Sequence, residues 1–104
     1  MFNLKTLVSL SAALILLFTQ SVAADEALAK SKNCLMCHTI DAKLVGPAYK
    51  EIAAKYKGDA NAVANLSAKV KNGGSGVWGE MPMPPNAAVS DADIETLVKW
   101  ILSL

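Results

Sequence analysis

The sequence predicts an all-α fold, a single small domain of about four short helices built around a centre that the chain itself does not supply. Three observations carry this. Apolar residues recur at helical spacing in several short stretches, most clearly at Ile94, Leu97, Val98, Ile101 and Leu102. The stretch GGSGVWGEMPMPPNAAV, residues 73–89, holds four Gly and three Pro and is expected to form no regular element. Large core residues are scarce: beyond residue 24 the aromatic side chains are Tyr49, Tyr56, Trp78 and Trp100, because Phe2 and Phe18 both lie upstream. A domain of about 80 residues is marginal on its own core and needs a disulfide, a metal or a cofactor as a staple.

The start of the 104-residue chain is not expected in the mature protein. Lys5 precedes an apolar run, Leu7 to Phe18, that passes only through small Ser and Ala. Ser21-Val22-Ala23-Ala24 then supplies small residues at the spacing a signal peptidase reads. That run is too short to span a membrane, which takes ~20 apolar residues. No cysteine follows closely enough to carry a lipid. Residues 1–24 therefore read as a secretory signal peptide cut after Ala23 or Ala24, and residues 25–104 as the mature domain; an uncleaved N-terminal anchor is the competing reading.

Asp25 to Asn33 forms a short helix with acids in its first turn, as the helix dipole favours. Pro47 stands where a second helix can begin, with Tyr49, Ile52, Ala53 and Tyr56 on one face and Gly58 as its stop. Asn61 to Asn72 places Val63, Leu66 and Val70 on one side and ends at Gly73-Gly74. Ser90-Asp91-Ala92-Asp93 resembles a capping box, with Asp in the usual Glu place, and opens the last helix. Trp100 on that helix reads as core. The connection 73–89 is long for so small a domain. It carries Trp78, Met81 and Met83, which disordered segments seldom do, so it is expected to be ordered around something.

Charge narrows the partners. Of ten Lys, Lys5 leaves with the signal, and the remaining nine balance nine Asp and Glu, with no Arg at all. A neutral, Arg-free surface argues against nucleic acid. Steering of a partner must come from a local lysine patch.

Cys34-Leu35-Met36-Cys37-His38 gathers both cysteines and the only histidine. A redox dithiol of the thioredoxin kind wants a βαβ context, which is absent. Zinc needs four ligands, and this set is one short. Covalent haem attachment fits each piece: two thiols at i and i+3 on one turn can each add to a porphyrin vinyl group, and the adjacent His38 can reach the iron from the same side. The haem would also fill the missing core. For the opposite side of the iron no second histidine exists, Met1 leaves with the signal, and Met36 is pinned between the two cysteines on the His38 side. Met81, Met83, a lysine or an open position remain. Met83 is favoured, because Pro82 and Pro84-Pro85 fix φ on both sides of it and so stiffen the support of a weak thioether bond. Met81 reads as apolar packing at the haem edge.

NCLMCHTIDAKLVGPAYKEIAAKY, then KNGGSGVWGEMPMPPN, then the terminal VKWILSL resemble a class I cytochrome c, nearest to the short bacterial c-551/c-552 (c8) group. The resemblance covers essentially the whole mature chain. It implies the class I cytochrome c fold, thioethers at Cys34 and Cys37, His38 as proximal ligand and Met83 as distal ligand. It implies that the Pro47 carbonyl accepts from the outer nitrogen of His38, which would fix the ring and raise its basicity. Asn86 would donate to the Met83 sulfur, and Trp78 and Lys69 would hold a haem propionate. Two positions depart from the family pattern. Lys69 stands where Arg is often found, a point charge in place of a forked donor. Ala29 stands where many relatives carry an aromatic, so the first and last helices must approach more closely or pack more weakly.

The resemblance further implies a monomeric periplasmic electron carrier with haem c and its iron, and no enzymatic turnover. The donor would be a quinol-oxidising complex or another cytochrome, the acceptor a terminal oxidase or a nitrite reductase, met through a small weak interface at the haem edge. No stable membrane insertion is expected after signal cleavage. A gas-binding or peroxidatic haem protein with a labile distal Met is the alternative, and a domain that works only inside a larger electron-transfer complex a third.

Overall fold

The structure is a computed structural model that describes residues 22–104; the apolar run Leu7 to Phe18 of the expected signal peptide lies outside the described residues. In chain order the described elements are helix α1 (Val22–Ser31), a 3₁₀ turn (Cys34–Met36), helix α2 (Tyr49–Lys55), helix α3 (Ala62–Asn72), strands β1 (Gly74–Gly76) and β2 (Gly79–Met83), and helix α4 (Asp91–Leu102). The helical architecture is the expected one, with a small two-stranded ribbon added.

Helix α4 is the hub, packing against α1, α2 and α3. Its start is set by Ser90, whose Oγ accepts from the backbone N–H of Asp93 at 3.1 Å, while Asp91 and Asp93 sit at the positive end of the helix dipole. The apolar stripe turns Ile94, Leu97, Val98 and Ile101 inward together with Trp100. Ala29 of α1 is completely buried in one cluster with Tyr49, Leu97, Trp100 and Ile101. The small side chain thus serves close approach of the first and last helices. Tyr49 meets Trp100 edge-on, with ring centroids 5.6 Å apart at 80°, a geometry aromatic quadrupoles favour.

Among the described residues helix α1 already includes Val22 to Ala24, upstream of the expected start at Asp25. It ends where Asn33 takes φ 63°, a left-handed turn that Asn tolerates better than most residues. That turn redirects the chain into the cysteine-bearing 3₁₀ segment. Pro47 does not begin α2 but precedes its N-cap, Ala48, which offers no side-chain cap. The free N–H groups of α2 are instead taken up by the segment after His38: Tyr49 N donates to Thr39 O at 2.9 Å and Lys50 N to Ile40 O at 3.1 Å.

The stretch 73–89 differs from its expectation. Counted as breakers, its glycines excluded a regular element; in the fold they make one. Gly74, Gly76 and Gly79 adopt φ of 136°, 107° and 111°, open to glycine at little cost. They allow β1 and β2 to pair antiparallel, Gly74 opposite Met83 and Gly76 opposite Gly79, with Val77 and Trp78 in the turn. Pro82 is tolerated because a two-stranded ribbon consists of edges.

Candidate functional site

The 3₁₀ turn sets the first half of the site. Side chains at i and i+3 eclipse in a 3₁₀ turn, so Cys34 and Cys37 project to one side, and His38 follows directly. The turn is closed by Cys37 N–H and His38 N–H, both donating to Cys34 O, at 3.2 and 3.0 Å. Both cysteines are free thiols, half-buried. Burial pushes the Cys34 thiol above its ordinary pKa, with a hydrogen bond to Tyr49 partly offsetting it. Burial likewise pushes the Tyr49 hydroxyl up, reinforced by the neighbouring Cys34. Both shifts favour the protonated forms.

His38 is buried, 8% exposed. Its Nδ1 lies 2.8 Å from Pro47 O. A carbonyl only accepts, so Nδ1 carries the hydrogen and Nε2 is left with a free lone pair, the state in which imidazole binds a metal. The ring stacks on Tyr49, with centroids 5.1 Å apart at 23°. Its other neighbour is the backbone of Gly46, where a Cβ would stand 2.5 Å from His38 Cε1 and 2.8 Å from Nδ1. Only glycine lets the loop close on the ring there. Gly46→Ala is expected to push the imidazole off Pro47 O and cost about 1–3 kcal/mol, read as a fall of about 4–24 °C in the thermal midpoint of the holoprotein. An unchanged midpoint would mean that the ring is not confined between Gly46 and Tyr49.

Met83, half-buried, ends β2 and forms the second half. Its carbonyl and the following Pro84-Pro85 lie directly against Gly73, so closely that no Cβ fits there. Met81 is far more exposed, 69%, nearer the turn of the ribbon. Asn86 is held differently from the resemblance-based expectation: its Nδ2 donates to Val70 O at 3.1 Å and to Pro84 O at 3.4 Å, not to the sulfur of Met83. Its role here is to tie the loop after Met83 to α3. Trp78 is partly exposed, with Lys55 Nζ 5.5 Å from its ring centroid, a cation–π contact that the sequence did not suggest. Lys69 Nζ lies over Gly74, 2.7 Å from where a Cβ would stand. Gly46 and Tyr49, which hold His38 from two sides, were missed in the sequence; VGPAY gave the only signal, a glycine and an aromatic flanking Pro47.

The donors present fit an iron porphyrin. Among the described residues no three or more His, Cys, Asp or Glu side chains are placed to share one metal ion, so the cysteines and His38 do not form a cage of their own. The free Nε2, two thiols on one side of a turn, and a stiffly held thioether would suit a haem attached through its edge and ligated through its iron. Exposed Leu44, Val45, Val77 and Trp78 supply apolar surface in the loops beside His38 and Met83.

The family model for cytochrome c matches residues 22–104. Over 78 residues the chain is 59% identical to cytochrome c-551 of Pseudomonas aeruginosa, covering 75% of this chain and 74% of that protein. Cytochrome c-552 of Nitrosomonas europaea is 53% identical over 93 residues, 89% of this chain and 90% of that one. The crystal structure of the Nitrosomonas europaea cytochrome c552 superposes with a TM-score of 0.74 at 54% identity, covering 76% of this chain and 98% of that chain. With a cysteine-histidine turn of this form and matches of this extent, the chain belongs to the cytochrome c family, in its c-551/c-552 group, as an electron carrier with covalently bound haem c and its iron and no enzymatic turnover.

Proposed function

We propose that residues 1–24 direct export and are cut off after Ala23 or Ala24, and that residues 25–104 work in the periplasm as a one-electron carrier with His38 and Met83 as axial iron ligands. The observation that carries the ligand assignment is the bond from His38 Nδ1 to Pro47 O, which leaves Nε2 free beside Cys34 and Cys37. The bound haem supplies exchange of one electron between ferric and ferrous iron. His38, wedged between Gly46 and Tyr49, keeps one orientation in both oxidation states. Met83, anchored against Gly73, presents a thioether, which favours the ferrous state relative to a second imidazole. Lys69 and Trp78 hold a propionate, by point charge and by indole N–H respectively.

Redox proteins are the partners: a quinol-oxidising complex or another cytochrome as donor, a terminal oxidase or a nitrite reductase as acceptor, each met by the monomer in a small transient interface. Cell fractionation with intact-mass measurement tests the proposal. The expected result is a periplasmic species that begins at Ala24 or Asp25 and carries one haem. A membrane-bound species retaining residues 1–21 would contradict it.

A further inference from the structure

The chain from Met83 to α4 is tied by hydrogen bonds to the last turn of α3. Val70 O accepts two hydrogens from Asn86, one from the backbone N–H and one from Nδ2, both at 3.1 Å. At the far end, Lys71 Nζ donates to Val89 O at 2.8 Å and pairs with Asp91 Oδ1 at 3.1 Å. The two bonds of Lys71 are unequal. The Asp91 side chain is 91% exposed and that contact is screened by water, whereas the bond to Val89 O is part-buried and charge-assisted. Pro84 and Pro85 lie between Met83 and the Asn86 anchor, where their fixed φ transmits any displacement instead of absorbing it, and only Ala87 and Ala88 separate that anchor from Val89. Lys71 is therefore the fastening that closes the arc from Met83 to Ser90 onto α3.

We infer that Lys71 is a positioning residue for the distal ligand: its hold on Val89 O keeps the Met83 arc pressed onto α3 and so keeps the Met83 sulfur on the iron. The inference rests on the assignment of Met83 as ligand. A thioether binds iron weakly, so its occupancy depends on how little freedom its backbone has to leave. Release of Val89 returns that freedom without touching Met83, Pro84 or Asn86. An exogenous ligand that competes for the same position would gain what Met83 loses.

The test is a titration of ferric holoprotein with imidazole, followed by loss of the methionine-to-iron charge-transfer band. Lys71→Met keeps the aliphatic stem and removes the ammonium; Lys71→Gln serves as a second replacement should the first fold poorly. Each is expected to raise apparent imidazole affinity about tenfold, equivalent to about 1.4 kcal/mol. Lys71→Arg, still able to donate to a carbonyl, is expected to stay near wild type, as is Asp91→Asn. Ile101→Val, a core change away from this arc, provides the stability-matched comparison and is expected to leave imidazole affinity unchanged. Wild type without the methionine band would refute the His38/Met83 ligation itself. Wild type with the band, but Lys71→Met and Lys71→Gln binding imidazole no better, would overturn the inference alone. Equal gains in Lys71→Met and Ile101→Val would also overturn it, since the effect would then be general loosening.

Discussion

Replacing both cysteines, Cys34→Ala with Cys37→Ala, is expected to leave a chain that carries no covalent haem and does not keep its fold. The buried side chains explain why. Ile94 and Val98 are the largest side chains fully shielded by protein alone, and much of the remaining core is alanine: Ala29, Ala48, Ala53 and Ala62. Meanwhile Leu44, Val45, Val77 and Trp78 are each at least 40% exposed. Burying one such side chain contributes ~1.5–3 kcal/mol, against a net stability of about 5–15 kcal/mol for a whole domain. A cofactor that covers even three of them decides between folded and unfolded. On a denaturing gel stained for haem the double variant should give no band, and its far-UV circular dichroism should lose the helical signal. Each single variant keeps one thioether and His38, so it should still stain. A double variant that stays helical and unfolds cooperatively would show that the protein core suffices.

Met83→Ala is expected to fold, to retain its covalent haem, and to bind carbon monoxide in the ferrous state where the native protein does not. Removal of the thioether leaves the position opposite His38 to water, and the gain in carbon monoxide affinity should be about a hundredfold or more, equivalent to about 3 kcal/mol. The reduction potential should fall, because the ligand that favours ferrous iron is gone. Met81→Ala is the informative partner. Residues two apart on a strand share a face, so β2 presents Met81 and Met83 on the same side. What separates them is support: Met83 is backed by Gly73 and its arc is tied to α3, whereas Met81 is largely in solvent. Met81→Ala should leave the spectrum and the carbon monoxide response unchanged. The reverse pattern between the two variants would move the ligand assignment to Met81.

The parts of the fold legible in the sequence are those set by local spacing. The stripe Ile94 to Ile101 is periodic because one face of α4 is buried, and Ser90 announces its start three residues before the N–H it accepts from. Cys34, Cys37 and His38 could be placed on one turn because the spacing requires nothing beyond that turn. What the sequence withheld depends on chain segments meeting at a distance. Gly46 and Tyr49 enclose His38 because residues 39–48 fold back on it, and no periodicity records such a return. Asn86 turned to Val70 O and not to sulfur because the C-terminal carbonyls of α3 need donors, a demand visible only once the helix end is in place. The ribbon was missed for a different reason. Glycines at 74, 76 and 79 break helices and also permit the positive φ of a tight hairpin, and composition alone does not tell these apart.

The proposed site holds a haem covalently at Cys34 and Cys37 with His38 and Met83 on its iron. Proton NMR of the ferrous holoprotein, with its optical spectrum before and after carbon monoxide at neutral pH, tests it most directly. Methionine side-chain resonances should be moved far upfield by the haem ring current and be absent in Met83→Ala, and carbon monoxide should leave the optical spectrum unaltered. A five-coordinate ferrous haem that takes up carbon monoxide stoichiometrically, with no shifted methionine signal, would contradict it.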